Sequence, residues 1–161
     1  MSDGGHYFDV CGYKVTSERM HERNSRVQAI VEVKVGNRCV RRSATGVGPV
    51  HALDEALRSC LADDFPELAG VRLSDYKVGV VNAEAGTGAQ VRVQVEATDG
   101  TSTWDAGCVS ENIVDASFEA LCSTAVMGII RARSSAKTRY SRDPLKDART
   151  DRVPDVGSLV G

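Results

Sequence analysis

The chain repeats itself, and that repeat limits the folds open to it. The stretches "VQAIVEVKVG" at 27–36 and "VRVQVEATDG" at 91–100 lie 64 positions apart. In each, alternate positions are apolar: Val27, Ala29, Val31 and Val33 in the first, Val91, Val93, Val95 and Ala97 in the second. A period of two turns one face of a strand to the core and the other to water. Both runs end on a turn signal, Gly36-Asn37 in one and Thr98-Asp99-Gly100 in the other, and a further strand follows each. The same offset relates Gly48, Ala52, Glu55, Ala56 and Leu57 to Asn112, Ala116, Glu119, Ala120 and Leu121, while "YKV" at 13–15 returns 63 positions on, at 76–78. A repeat of this kind governs the whole architecture. It predicts an α+β domain made of two strand-strand-strand-helix (βββα) units over residues 7–133, the first spanning 7–69 and the second 70–133. Residues 1–6 and the charged, proline-broken stretch 134–161 are expected to be flexible ends.

The helices are specified in some detail. Val50, Leu53, Leu57, Cys60 and Leu61 recur at steps of three and four, which gives the first helix one apolar stripe. Pro49 suits its first turn, and Pro66 bounds its end. In the second helix Ser110 is the expected N-cap, and Asp115 lies near the positive end of the dipole. Two stripes run along it, Ile113, Ala116, Ala120 and Met127 beside Val114, Phe118, Leu121 and Ala125. That girth predicts packing on two sides, and a subunit interface would supply the second.

Composition excludes more than it suggests. With 20 basic and 22 acidic residues the formal charge is −2, which offers no general attraction to nucleic acid. Arg38, Arg41 and Arg42 are expected on a solvated sheet face. No signal peptide and no apolar run of spanning length is evident, so a cytoplasmic protein without a membrane partner is expected. Five cysteines form no C-x-x-C pair, and Cys11, Cys39, Cys60, Cys108 and Cys122 read as reduced, mostly core hydrophobes. No ligand spacing among them, or among His6, His21 and His51, points to a metal. Neither a nucleophile elbow nor a phosphate-loop motif occurs, so no catalytic residue and no cofactor is expected. Asp54 with Glu55, and Asp63 with Asp64, read as solvated helix charge.

One stretch stands apart. "TGVGPVHALDEAL" at 45–57 runs from a glycine-rich loop straight into a helix. Backbone N–H groups at a helix start attract an anion such as an amino-acid carboxylate, and a valine-lined sheet would receive a short apolar side chain. The glycines could equally serve only the turn. The second unit, however, begins its helix with Ser110 and Asn112 where the first has Gly46 and Gly48. A helix start does not by itself require those glycines, which points to something held close against the backbone.

Three stretches together resemble one family. "ATGVGPVHALDEAL", "PELAGVRLSDYKVGVV" and "WDAGCVSENIVDASFEAL" are similar to motifs of the C-terminal regulatory (allosteric, dimerisation) domain of 2-isopropylmalate and citramalate synthases, and "YFDVCGYKV" leans to the citramalate branch. The resemblance covers about residues 7–132. It implies two βββα units related by a pseudo-twofold, a homodimer, and feedback binding of leucine or isoleucine near the dimer interface. By matching motif positions it selects Gly46, Val47, Gly48, Pro49 and Ala52 on the loop and helix start, and Gly86, Thr87 and Ala89 from "AGTGAQV". Asp75 and Tyr76 match a further motif, for which a structural role is at least as apt. The chain departs from the family at Gly79, where Arg is usual, at Asp105–Cys108, and at Met127, where Tyr is common. Those departures leave open a module that dimerises without an effector. The family's catalytic TIM barrel, which condenses acetyl-CoA with a 2-keto acid, has no counterpart in this sequence. The chain is therefore expected to be part of a larger synthase, or a free-standing subunit that meets its catalytic partner in trans.

Overall fold

A computed structural model describes residues 7–19 and 25–141. Along them run β1 (Asp9–Arg19), β2 (Ser25–Val35), β3 (Arg38–Gly46), α1 (Pro49–Leu61), β4 (Arg72–Val80), β5 (Val91–Thr98), β6 (Thr103–Ser110) and α2 (Ile113–Ser141). Short 3-10 helices occupy Pro66–Gly70 and Ala83–Gly88. The strands form two antiparallel meanders, ordered β1-β2-β3 and β4-β5-β6, each followed by its helix. The duplicated α+β architecture expected from the repeat is the architecture observed.

Strand register carries the duplication down to single residues. Tyr13 faces Val31 as Tyr76 faces Val95, and Arg42 faces Val31 as Ala106 faces Val95. Each meander also breaks register at one place, between Val10 and Gly12 in β1 and between Leu73 and Asp75 in β4. The extra residues, Cys11 and Ser74, hold corresponding positions in the two units. A slip of one residue would send every valine to the opposite face, so a shared register means a shared core. The residue gained in the second unit lies in its β4–β5 connection, since the equivalent pairs Ser17–Val27 and Val80–Val91 enclose residues 18–26 and 81–90. Gly36, at φ 62, supplies the left-handed residue of the two-residue β2–β3 turn.

The buried faces follow the alternation. Val27, Ala29, Val31 and Val33 of β2, and Val93, Val95 and Ala97 of β5, lie in the core. Helix α1 packs over β2 and β3 through Ala52, Leu53, Ala56, Leu57, Cys60 and Leu61. Each large side chain so buried contributes about 1.5–3 kcal/mol.

Helix α2 is buried on more than one side, through Ala116, Ser117, Phe118, Ala120, Leu121, Cys122, Val126 and Ile129. From β6, Trp104 Nε1 donates to the Thr124 carbonyl at 3.0 Å. From β1, in the other unit, the Tyr13 ring lies 4.8 Å from that of Phe118, and its hydroxyl donates to Asp115. Part of the apolar girth of α2, at Phe118, is thus met by the same chain's first sheet, while Ile113 stays exposed. By length and composition α2 could cross a bilayer, but these contacts make it a core helix.

Other expectations are corrected. Asn112, not Ser110, caps α2: its Oδ1 accepts the N–H groups of Val114 at 2.8 Å and Asp115 at 3.3 Å, while Ser110 Oγ accepts that of Asn112. Cys60 and Cys122 are buried, but Cys11 and Cys39 are exposed, so these two are not core residues. The compact body that holds both repeats closes at Ile129, and α2 continues past it to Ser141. Residues 134–141 are therefore helical. The ends expected at 1–6 and beyond 141 lie outside the described residues, as does His21.

Candidate functional site

The two helix starts differ in how they end their backbone. In α2, Asn112 occupies two N–H groups of the first turn. In α1, the corresponding residue is Gly48, extended at φ −158 and ψ 177, and no side chain caps the helix. Pro49 at the first helical position has no N–H to offer. The N–H groups of Val50 and His51 are left for whatever approaches the helix end.

A cavity of about 380 Å³ opens at that point, lined by Val47, Gly48, Pro49, Val50, His51, Leu53, Tyr76, Ile113, Val114 and Ser117. It joins the loop of unit one to the middle of β4 and the first turns of α2. The lining is mostly aliphatic and holds no carboxylate. Its polar groups are few: the Tyr76 hydroxyl and Ser117 Oγ share a hydrogen bond of 2.9 Å, and Ser117 is buried. The Val47 side chain stands 90% exposed at the rim. The loop itself is held by His51, whose Nδ1 accepts the Val47 N–H at 3.1 Å. Its Nε2 lies 3.8 Å from the Glu55 carboxylate.

The residues selected from the sequence fall into three places. Val47, Gly48 and Pro49 line the cavity. Gly46 and Ala52 lie behind it: a Cβ on Gly46 would stand 2.6 Å from the Ala52 nitrogen, so α1 itself demands glycine there. A Cβ on Gly48 would meet nothing within 4 Å, and its extended backbone suits any residue. Neither sterics nor conformation explains that glycine. Gly86 and Thr87 are exposed on the 83–88 turn, with Gly86 at φ 64, and Ala89 sits half-buried just beyond. None of these three lines the cavity. Val50, His51, Leu53, Ile113, Val114 and Ser117 do line it, and the sequence did not single them out as a site. Their one signal was the repeat, which sets two helix starts in matching positions.

Charge near the site is used for structure. Arg58 Nε lies 3.1 Å from both Asp54 carboxylate oxygens, and its Nη1 donates to the carbonyls of Leu68 and Val71. Asp54 is therefore no solvated helix charge. Burial pushes its carboxyl above the ordinary range even against the pull of Arg58. Burial, and the Asp115 carboxylate that accepts its proton, push the Tyr13 phenol up to about 12. No arrangement of nucleophile, base and orienting partner occurs among the described residues at this cavity; what it offers is an apolar slot beside bare backbone N–H groups.

Comparison with known proteins places the molecule. The LeuA allosteric (dimerisation) domain matches residues 3–128. Among curated proteins, the (R)-citramalate synthase of Geobacter sulfurreducens is 46% identical over 116 residues, covering 71% of this chain and 22% of that enzyme. That of Aquifex aeolicus is 38% identical over 126 residues, covering 78% and 24%. That of Synechocystis is 40% identical over 111 residues, covering 69% and 20%. The chain thus spans a quarter or less of the length of these relatives. The chain belongs to the LeuA allosteric (dimerisation) domain family.

Proposed function

We propose that this chain is the sensing and dimerising part of a citramalate synthase-like or 2-isopropylmalate synthase-like acyltransferase, and that leucine or isoleucine is its feedback effector. The reaction, condensation of acetyl-CoA with a 2-keto acid, belongs to a catalytic domain joined in cis or met in trans. The effector's carboxylate caps the α1 N-terminus through the N–H groups of Val50 and His51. Its side chain enters the aliphatic slot formed by Val47, Leu53, Ile113 and Val114, and its ammonium reaches the hydroxyls of Tyr76 and Ser117. The observation that carries this reading is the missing cap. One unit fills its helix end with Asn112, and the other leaves it open, through Gly48, onto a cavity of amino-acid size.

The exposed apolar residues support a homodimer on the same side. Tyr76, Val78 and Val80 share one face of the edge strand β4, and Val47 and Ile113 stand at the cavity rim. A second copy covering them would complete the cavity wall. No nucleic acid or membrane takes part, and the protein works in the cytoplasm.

A second reading has one observation in its favour. Gly86, Thr87 and Ala89, the effector positions implied by resemblance, lie outside the cavity. On that reading the domain dimerises and binds no effector. Calorimetric titration with leucine, isoleucine and valine, with dimer mass measured alongside, separates the two. Saturable binding to a dimer supports sensing; an intact dimer with no heat from any of the three supports assembly alone.

A further inference from the structure

The outer face of the first sheet gathers three groups that are far apart in the chain. Cys11 on β1, Glu32 on β2 and Cys39 on β3 bring two thiols and a carboxylate oxygen within 4.8 Å of one another. Glu32 is half-buried and both cysteines are exposed, so the cluster is open to solvent on one side. It lies on the opposite face of the sheet from α1, away from the effector cavity.

The second unit provides an internal control. By strand register, Cys11, Glu32 and Cys39 correspond to Ser74, Glu96 and Thr103. There Ser74 Oγ donates to Glu96 at 2.8 Å, an ordinary polar contact on a bulged strand. The first unit keeps the carboxylate and the bulge but carries thiols where the second carries hydroxyls. The backbone needs no thiol at these positions, because its twin is built without them. Hydroxyls are poor ligands for soft cations, and thiolates are good ones.

A disulfide does not account for the pair. Cys11 and Cys39 stand on strands separated by β2, and two strand spacings come to about 9–10 Å. Disulfides rarely span more than about 7 Å between Cα atoms. A metal ion placed between the sulfurs adds two bonds of about 2.3 Å and spans the gap. In a tetrahedral site two such sulfurs lie about 3.8 Å apart, and the three ligand atoms here all lie within 4.8 Å of one another. We propose that Cys11, Glu32 and Cys39 form a binding site for a thiophilic divalent cation of the zinc class, with water as the fourth ligand. Binding releases the two thiol protons to solvent as the sulfurs bond to the ion, and the Glu32 carboxylate joins as a hard donor. Lys34 and Arg41, paired across the strands with Cys39 and Glu32, offset the negative charge that two thiolates and a carboxylate bring.

The test uses the whole chain, stripped with a chelator and kept reduced. Zinc is titrated in competition with a chromogenic indicator, and cobalt is then substituted to read thiolate charge-transfer and tetrahedral d–d absorption. The expected result is one zinc per chain at sub-micromolar affinity, with a cobalt spectrum of thiolate ligation. The double variant Cys11→Ser/Cys39→Thr installs the twin unit's own residues. It should keep the wild-type unfolding midpoint and lose more than about 100-fold in zinc affinity. No binding tighter than micromolar, or unchanged binding in the double variant, overturns the proposal. So does a Cys11–Cys39 disulfide that forms readily in air.

Discussion

Replacing Gly48 with Asn should make this protein more stable and, on the proposed function, blind to leucine and isoleucine at the same time. The backbone at Gly48 is extended, and a Cβ there meets open space, so the substitution introduces no clash. An Asn at this position can accept the N–H groups of Val50 and His51, as Asn112 does for Val114 and Asp115. A better cap and a stiffer unfolded chain together give a gain of about 0.3–1 kcal/mol. For a domain of this size that amounts to a rise in Tm of about 1–4 °C. In the wild type, leucine or isoleucine at about 100 times its Kd should add about 2.7 kcal/mol, a further rise of about 5–11 °C. In Gly48→Asn that second rise should vanish, because the amide now sits where the carboxylate must. Trp104, buried against α2, reports unfolding by fluorescence in both proteins. The reciprocal change, Asn112→Gly, should lose stability by a similar amount and keep the effector response. If Gly48→Asn responds to effector as the wild type does, the carboxylate does not bind at α1 and the reasoning fails.

Three further outcomes are expected. Gly46→Ala should cost about 3 kcal/mol, since its Cβ would press on the α1 backbone at Ala52, and stability within about 0.5 kcal/mol of wild type would refute that packing. Arg58→Leu should cost about 3 kcal/mol in urea denaturation, by leaving Asp54 and two carbonyls unpartnered. A carboxyl whose folded pKa is raised keeps its stabilising effect below the ordinary value and loses it as pH rises through the folded one, so this variant should recover stability as pH falls towards the carboxylate range, and a loss there would count against the buried pair. Tyr13, raised from 10.0 to about 12, contributes stability that is complete below the lower value and is lost as pH climbs between them. Thermal melts over that window should fall more steeply for wild type than for Tyr13→Phe, and equal slopes would refute the inter-unit hydrogen bond.

The fold was legible because its signal is periodic and doubled. Alternation in 27–33 and 91–97 marks which faces are buried, and the repeat marks two units of three strands and a helix. The second packing side of α2 was legible as apolar surface but not by partner, since Tyr13 reaches Phe118 across 105 positions of chain. The cap was misread at Ser110 because Ser and Asn both occur at a plausible helix start, and only geometry shows which oxygen faces the free N–H groups. At the site, Val47, Gly48 and Pro49 could be read from their loop, but Tyr76 and Ser117 join them only through tertiary folding. Gly46 and Gly48 look alike in sequence and differ in space: one gives way to a helix backbone, the other faces a void. Cys11, Glu32 and Cys39 have no ligand spacing because three antiparallel strands, not one loop, set them side by side.

The Tyr13 contact with α2 also bears on how such a chain arises. A lone unit of about 60 residues buries too small a share of its surface to be comfortably stable. Here β1 of one unit closes over the helix of the other through Tyr13, so each unit gains buried surface from its neighbour. In a symmetric pair of identical copies, any change in one copy appears in both. Joining the copies in one chain lifts that restriction. The two halves can then differ: one carries glycine at its helix start and a pair of thiols on its sheet, where the other carries asparagine, serine and threonine. A single chain can thus hold two halves of one scaffold that differ in their side-chain chemistry.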